Sequence, residues 1–413
     1  MAGTVLTSAQ FAAFFKTRYP AAKMKSLVEF DKPTLQAFAK SGDKLDGAVT
    51  NIPVELDSPQ GHSAHLGAAR TNASSSVGRQ WALTTASHYG ALTIDARTMM
   101  AAQKDVGAFF RTREHEVDRI LGGIGQYNEM SLWRDGTGST GIINGDPGTG
   151  TTIQLATISD AFNFNEQEDI TFHDDVAGAP STVRAGGSRR ITGVNYATGV
   201  LTVDAAMDAA VEDTDHIVRE GCLDGVFQGI PSWITAADPT DTLFGVARTL
   251  YPQKLGGHRQ AWLGSIEETA KKLDSTIRRA NQRSKVLWLS YANFNRLDLE
   301  LGARGYRSED GGKGVFGRMS LGMSTPNGGV EVKAAPYLND TTGYLLDMST
   351  WELLHLGGFP HIVQDDGLTA TRLAPAAVVT GDANEGDGIE IRFRQFAQTY
   401  CSNPFSNGRF PIV

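Results

Sequence analysis

Val106, Phe109, Phe110, Val117, Ile120, Leu121 and Ile124 fall on one stripe of a helix that runs from about Asp95 to Trp133. Arg111, Glu114, Asp118 and Arg119 fall on the opposite stripe, the pattern of a helix with one face on a core. About 30 helical residues span roughly 45 Å. A chain organised around such a rod is not an all-β protein. Only Gly122, Gly123 and Gly125 weaken the pattern, and they do so late.

A glycine-rich stretch from Arg134 to Thr152 follows the rod directly. It contains Gly136-Thr-Gly138-Ser-Thr-Gly141, the spacing of a phosphate-cradling loop. A dinucleotide loop belongs between a strand and the start of a helix, where N-terminal amides meet the pyrophosphate. Here the order is reversed. A helix precedes the glycines, and β-patterned residues (Thr151 to Ala156) follow them, with no Gly-Lys-Ser/Thr. The stretch therefore reads as turn and hinge chemistry, with Gly136 as the helix stop.

Ahead of the rod, Ser8 caps a short helix carrying Phe11, Phe14 and Phe15 on one face, and Pro20 ends it. Asp31 and Pro33 start a second, with Leu35 and Phe38 at helical spacing. Neither is long enough to stand alone. Ile52, Val54 and Leu56 then alternate with polar residues and proline, Trp81 and Leu83 alternate likewise, and Tyr89, Leu92 and Ile94 continue the β character. The small polar residues from Ser58 to Gly78 make this a long hairpin with a flexible tip. A two-stranded hairpin is marginal by itself, so something else must cover its apolar side.

Residues 151–222 are short β-runs separated by turn signals, an all-β unit. Twelve Asp and Glu stand there against four Arg and no Lys, a net of −8 that equals the charge of the whole chain. The unit reads as a solvated, outward knob on a neutral body. From Leu223 the pattern is mixed α/β. Ser265-Ile-Glu-Glu268 is a capping box for a helix with Ile266, Ala270, Leu273 and Ile277 inward. Lys285 to Ser290 is a buried strand, Tyr291 to Gly302 a helix, and four further strands follow.

With 413 residues, 40% of them hydrophobic and 20% charged, the chain is globular. Its net charge of −8 argues against a protein whose main task is gripping DNA. Cys222 and Cys401 are too few for a disulfide framework. No signal peptide and no apolar run of about 18 residues occurs, so a soluble, cytoplasmically made protein without a membrane partner is expected.

Chemistry is sparse. His62 and His65 have i, i+3 spacing but no third ligand nearby. Asp174-Asp175 and Glu212-Asp213-x-Asp215 lack the glycine and alternation of a calcium loop. Arg113 to Glu116 reads as a salt-bridged surface. There is no GxSxG, SxxK or HExxH. Lys271, Lys272, Arg278, Arg279, Arg283 and Lys285 cluster around one helix as a solvated basic face. No catalytic, cofactor or metal residue is expected, and the chain reads as a non-enzyme built for assembly.

This order of elements resembles the tailed-bacteriophage major capsid proteins of the Hong Kong phage fold, a fold that encapsulin shells share. The resemblance implies an α+β subunit with an N-terminal arm (1–48), an extended hairpin loop (49–94), a peripheral domain with a spine helix (95–150) and a β-rich insertion domain (151–222). An axial domain (223–330) and peripheral strands with a C-terminal tail (331–413) complete it. "RQWALTTASHYGALTID" and "FFRTREHEVDRILGGIGQYNEMSLW" carry the likeness of the loop and the spine. The implied partners are the chain itself in hexamers and pentamers, a portal protein, a separate scaffolding protein, a decoration protein and the enclosed double-stranded DNA. The implied location is the virion, assembled in the host cytoplasm.

Phe11, Phe14, Phe15, Ile52, Val54, Leu56, Trp81 and Leu83 are the expected inter-subunit contacts, buried only on assembly. Trp81→Asp is then expected to leave a folded subunit that forms no shell. Some relatives crosslink a loop lysine to a neighbour's asparagine; no lysine lies from Leu45 through Gln103, so no crosslink is expected. No cleavage of the N-terminus is expected either. An encapsulin-like compartment is the close alternative, and a nucleotide enzyme using Gly136 to Gly141 the remote one.

Overall fold

A computed structural model of the chain describes residues 21–42, 44–45, 47–57, 61–95, 106–176, 178–301, 322–325, 328–362, 372–373 and 388–413. Phe11, Phe14 and Phe15 lie outside these residues. The long helix runs from Val106 to Ser131 and buries Val117, Leu121 and Ile124. Asp95, where the periodicity places its start, ends a strand, Ala86–Asp95, and residues 96–105 lie outside those described.

One of the late glycines, Gly125, has a packing reason. A helix absent from the sequence reading, Ala21–Glu29, crosses the long helix at Gly125, where a Cβ would run into the Val28 carbonyl. Met24 and Val28 are buried against it, so tertiary packing sustains a helix too short to persist alone. The expected helix at Pro33 is present as Pro33–Ala37. Its first amides are met by Glu129, whose carboxylate accepts from Thr34 N at 2.9 Å and Leu35 N at 2.6 Å.

The long helix lies on a five-stranded sheet. Trp351–Ile362 and Gly388–Cys401 form its antiparallel centre, Ala39–Ser41 pairs parallel with the former, and Ala86–Asp95 pairs with the latter from Asp95↔Gly388 to Ala86↔Ala397. The expected hairpin range ran on to Ile94. Its pairing stops at Thr84, and the next strand belongs to this sheet instead. Alternation marks a strand but does not name its partner.

A second, six-stranded sheet carries His258–Arg259, Gly408–Pro411, Thr342–Leu346, Val286–Ser290, Gly328–Ala335 and Gly322–Thr325 in that order. Val286–Ser290 is buried throughout, and the helix Ile266–Arg279 covers the sheet with Ile266, Ala270, Leu273 and Ile277. Ser265 caps that helix by accepting from Glu268 N, as the capping box predicts. The C-terminal strand Gly408–Pro411 returns to this sheet rather than continuing the peripheral one.

The acidic unit is a closed antiparallel barrel. Ser139–Ile142, His216–Arg219, Asp169–Val176, Arg189–Asn195, Val200–Val203 and Thr152–Gln154 follow by pairing, and the Ile143↔Leu155 bridge joins the last strand to the first. A seventh strand, Ala179–Val183, lies off this path and pairs, among the described residues, with Asp169–Val176 alone. Ile153, Phe172, Ile191, Leu201 and Ile217 fill the inside. The barrel begins at Ser139, inside the glycine stretch, where a four-residue strand is too short to show alternation. Gly136 and Gly138 adopt φ of +86° and +92°, and Gly138 backs onto the Cys222 carbonyl, so the entering and leaving chains touch.

Candidate assembly surfaces

The hairpin strands Val49–Asp57 and Val77–Thr84 pair in the register Ile52↔Trp81 and Thr50↔Leu83. This alternation sends Leu56, Trp81 and Leu83 to one side, and all three are buried within the chain. Trp81 is fully buried and meets Trp233 edge-on at 5.1 Å, and Trp233 also packs on Phe244 at 5.6 Å. Ala82 N donates to Phe244 O at 2.9 Å, and Lys254 Nζ donates to Leu56 O at 2.7 Å. Ile52 and Val54 are half-buried against the same core.

The expectation that these residues stay uncovered until assembly is therefore corrected. The ribbon is covered by its own chain, through Trp233, the turn Thr242–Ala247 and the short helix Pro252–Gly256. These segments lie about 150 or more residues away in sequence. Nothing local to the hairpin signals them.

Uncovered surface begins at the tip. Residues 61–76 are exposed almost throughout, and the helix Leu66–Thr71 has no buried residue, with Leu66 at 69% exposure. A six-residue helix that buries none of its residues among those described lacks the tertiary support that short helices need. Phe30, Tyr89, Leu250 and Leu299 are also exposed. Sequence reasoning passed over Leu66 because the tip residues around it are small and polar. His62 and His65 stand exposed at this tip, and among the described residues no group of three His, Cys, Asp or Glu side chains gathers as metal ligands would.

The barrel is fixed to the long helix by charge and stacking. Arg134 reaches Asp160 at 2.7 Å, while Arg219 pairs with Glu168 and lies 5.0 Å over the Tyr127 ring. His88 stacks on Tyr127 at 4.5 Å. Burial, helped by the Arg219 charge, holds His88 neutral with its pKa down at about 4. Burial likewise raises the Glu168 and Glu129 carboxyls. The Cys401 thiol is pushed up to about 12 by full burial, which keeps it protonated and not nucleophilic.

Compared with known proteins, neither a family profile nor a curated protein matches the chain. Solved structures do. A chain of the cyanophage A-1(L) capsid asymmetric unit aligns over 92% of both chains at 12% identity, with a TM-score of 0.51. This is a phage capsid fold. Chains of Mycobacterium phage Adephagia (12% identity, TM-score 0.42, 92% and 90% covered) and of the satellite phage P4 procapsid including size determination (Sid) protein (8%, 0.39, 100% and 98%) also align, at scores that add nothing to the assignment.

Proposed function

We propose that the chain is the major capsid protein of a tailed phage, self-assembling through hexamers and pentamers into an icosahedral shell around a double-stranded DNA genome. The observation that carries this reading is the shared fold along almost the whole of both chains. The exposed hairpin tip supports it, because a heterologous contact that places one copy's tip on its neighbour closes into rings. The arm residues Phe11, Phe14 and Phe15 join the tip in this role. Ile52 and Val54, half-covered in the single chain, complete their burial there.

In this reading the chain works in the virion after assembly in the host cytoplasm. It meets a portal protein at one vertex and a separate scaffolding protein during assembly, and the barrel offers a decoration protein an outward seat. The chain performs no catalysis.

Negative-stain electron microscopy of the purified full chain, alone and co-expressed with its scaffold, tests the reading. Closed shells are expected. A chain that sediments as a monomer under every condition overturns it, and shells filled with a protein cargo in place of DNA turn it into a compartment. Boiled shells should migrate near 44.3 kDa, since the loop has no lysine to crosslink.

A further inference from the structure

At the C-terminal end of the helix Ile266–Arg279 the surface folds into a cleft of about 260 Å³. Arg278, Arg283 and Lys285 line it together with Ser284, Thr325 and Gly329. The sequence brings the cations there in one turn. The helix ends at Ala280, Asn281 takes φ 58° to reverse the chain, and Lys285 leads into the central strand Val286–Ser290. That strand pairs with Gly328–Ala335, whose partner Gly322–Thr325 carries Thr325 to the opposite wall.

Among the described residues the charge of this cleft is not cancelled. Several other cations meet carboxylates: Arg190 with Asp169, Arg259 with Asp238, and, close by, Lys271 with Glu267 and Lys333 with Glu331. Among the described residues no carboxylate forms an ion pair with Arg278, Arg283 or Lys285, and none lines the cleft. Asp274 is buried and accepts from Ser284 Oγ at 3.2 Å. A helix C-terminus favours a cation in its last turn, which accounts for Arg278. Arg283 and Lys285 lie beyond the helix and need another reason.

We infer that the cleft is an anion site for one phosphate group, and that in the shell this group belongs to the nucleic-acid backbone. Planar guanidinium forks with a lysine beside them suit a phosphate oxyanion. The volume lies below the roughly 300–1,000 Å³ of organic-ligand pockets, so a small charged group fits where a cofactor does not. The acidic barrel repels a polyanion, which leaves the neutral body to receive it. The nucleic-acid assignment rests on the capsid reading; the anion site does not.

The test uses the purified full chain, the variant Arg278→Gln/Arg283→Gln, and Lys272→Gln as a control on the same helix outside the cleft. Inorganic phosphate is titrated by calorimetry, and a labelled DNA duplex of about twenty base pairs by fluorescence anisotropy at several salt concentrations. Both ligands should bind the parent chain. The double variant should weaken duplex binding about tenfold or more and lower the salt slope by roughly 2, while the control changes neither. Phosphate binding without duplex binding keeps the anion site and overturns its nucleic-acid assignment. Absence of both, equal loss in the control, or tighter binding of polyglutamate than of duplex overturns the proposal. Shell formation is scored separately by microscopy, so a chain that forms no shells counts against the capsid reading while the phosphate titration still decides the cleft.

Discussion

Asn128 on the long helix and Gln395 on the long strand Gly388–Cys401 face each other and exchange two hydrogen bonds, Asn128 Nδ2 to Gln395 Oε1 at 2.9 Å and Gln395 Nε2 to Asn128 Oδ1 at 3.1 Å. Both side chains are buried. Such a reciprocal pair fixes the rotation of the helix over the sheet, because any slip along either element leaves four polar atoms without partners. Asn128→Leu strands the Gln395 amide and should cost about 1–3 kcal/mol, the desolvation of an unpaired group. Urea denaturation of the isolated subunit reads this. An unchanged midpoint would show that the pair holds nothing in place.

The glycines of the same helix should separate by position. Gly122 has open space where a Cβ would stand, so Gly122→Ala should stabilise the subunit by up to about 1 kcal/mol through helix propensity. Gly125→Ala gains the same propensity but pushes against the Val28 backbone, and should lower the melting temperature. If both variants melt alike, the two helices do not cross closely at Gly125.

Within the hairpin, folding and assembly should separate between its root and its tip. Trp81→Ala empties a site in the aromatic group around Trp233 and should cost roughly 3–5 kcal/mol, enough to unfold a marginal domain. Leu66→Asp alters an exposed tip residue and should leave the unfolding free energy within about 0.5 kcal/mol of the parent while blocking shells. Normal shells from Leu66→Asp would remove the tip from the interface. A soluble, folded Trp81→Asp subunit would restore the assembly-only role expected from sequence.

Acid should loosen the junction between helix and barrel through His88. Its folded pKa of about 4 lies below the ordinary value of 6.5, so between those two pH values the unfolded chain binds the proton and the folded chain does not. Stability is complete above pH 6.5 and falls as pH drops toward 4, by about 3 kcal/mol from this group. The buried carboxyls of Glu129 and Glu168 act in the opposite sense: their folded pKa values are raised, so protonation favours the folded state as pH falls. Comparison with His88→Gln isolates the histidine. The variant's urea midpoint should change less steeply between pH 6.5 and 4, and identical slopes would remove His88 as the cause.

The sequence alone carried the elements whose cause is local. The stripe through Val117, Leu121 and Ile124, the Ser265 cap, the continuous apolar run Val286–Ser290 and the alternation at Ile52 and Trp81 each state their structure within one element, because periodicity and capping act over a few residues. The turn reading holds at Gly136 and Gly138, where positive φ is a property of the residue itself, but Gly141 lies in the strand Ser139–Ile142 and the helix stops at Ser131, ahead of Gly136. Only the tertiary structure decided what each apolar face meets. Trp81 lies under Trp233, Gly125 under Val28, and Ala86–Asp95 beside Gly388–Cys401, contacts between residues far apart in the chain. An apolar stripe records that a side chain leaves water but not which neighbour receives it, because hydrophobic burial has no direction of its own. For the same reason a hairpin face covered by its own subunit and one reserved for the next copy read identically as sequence.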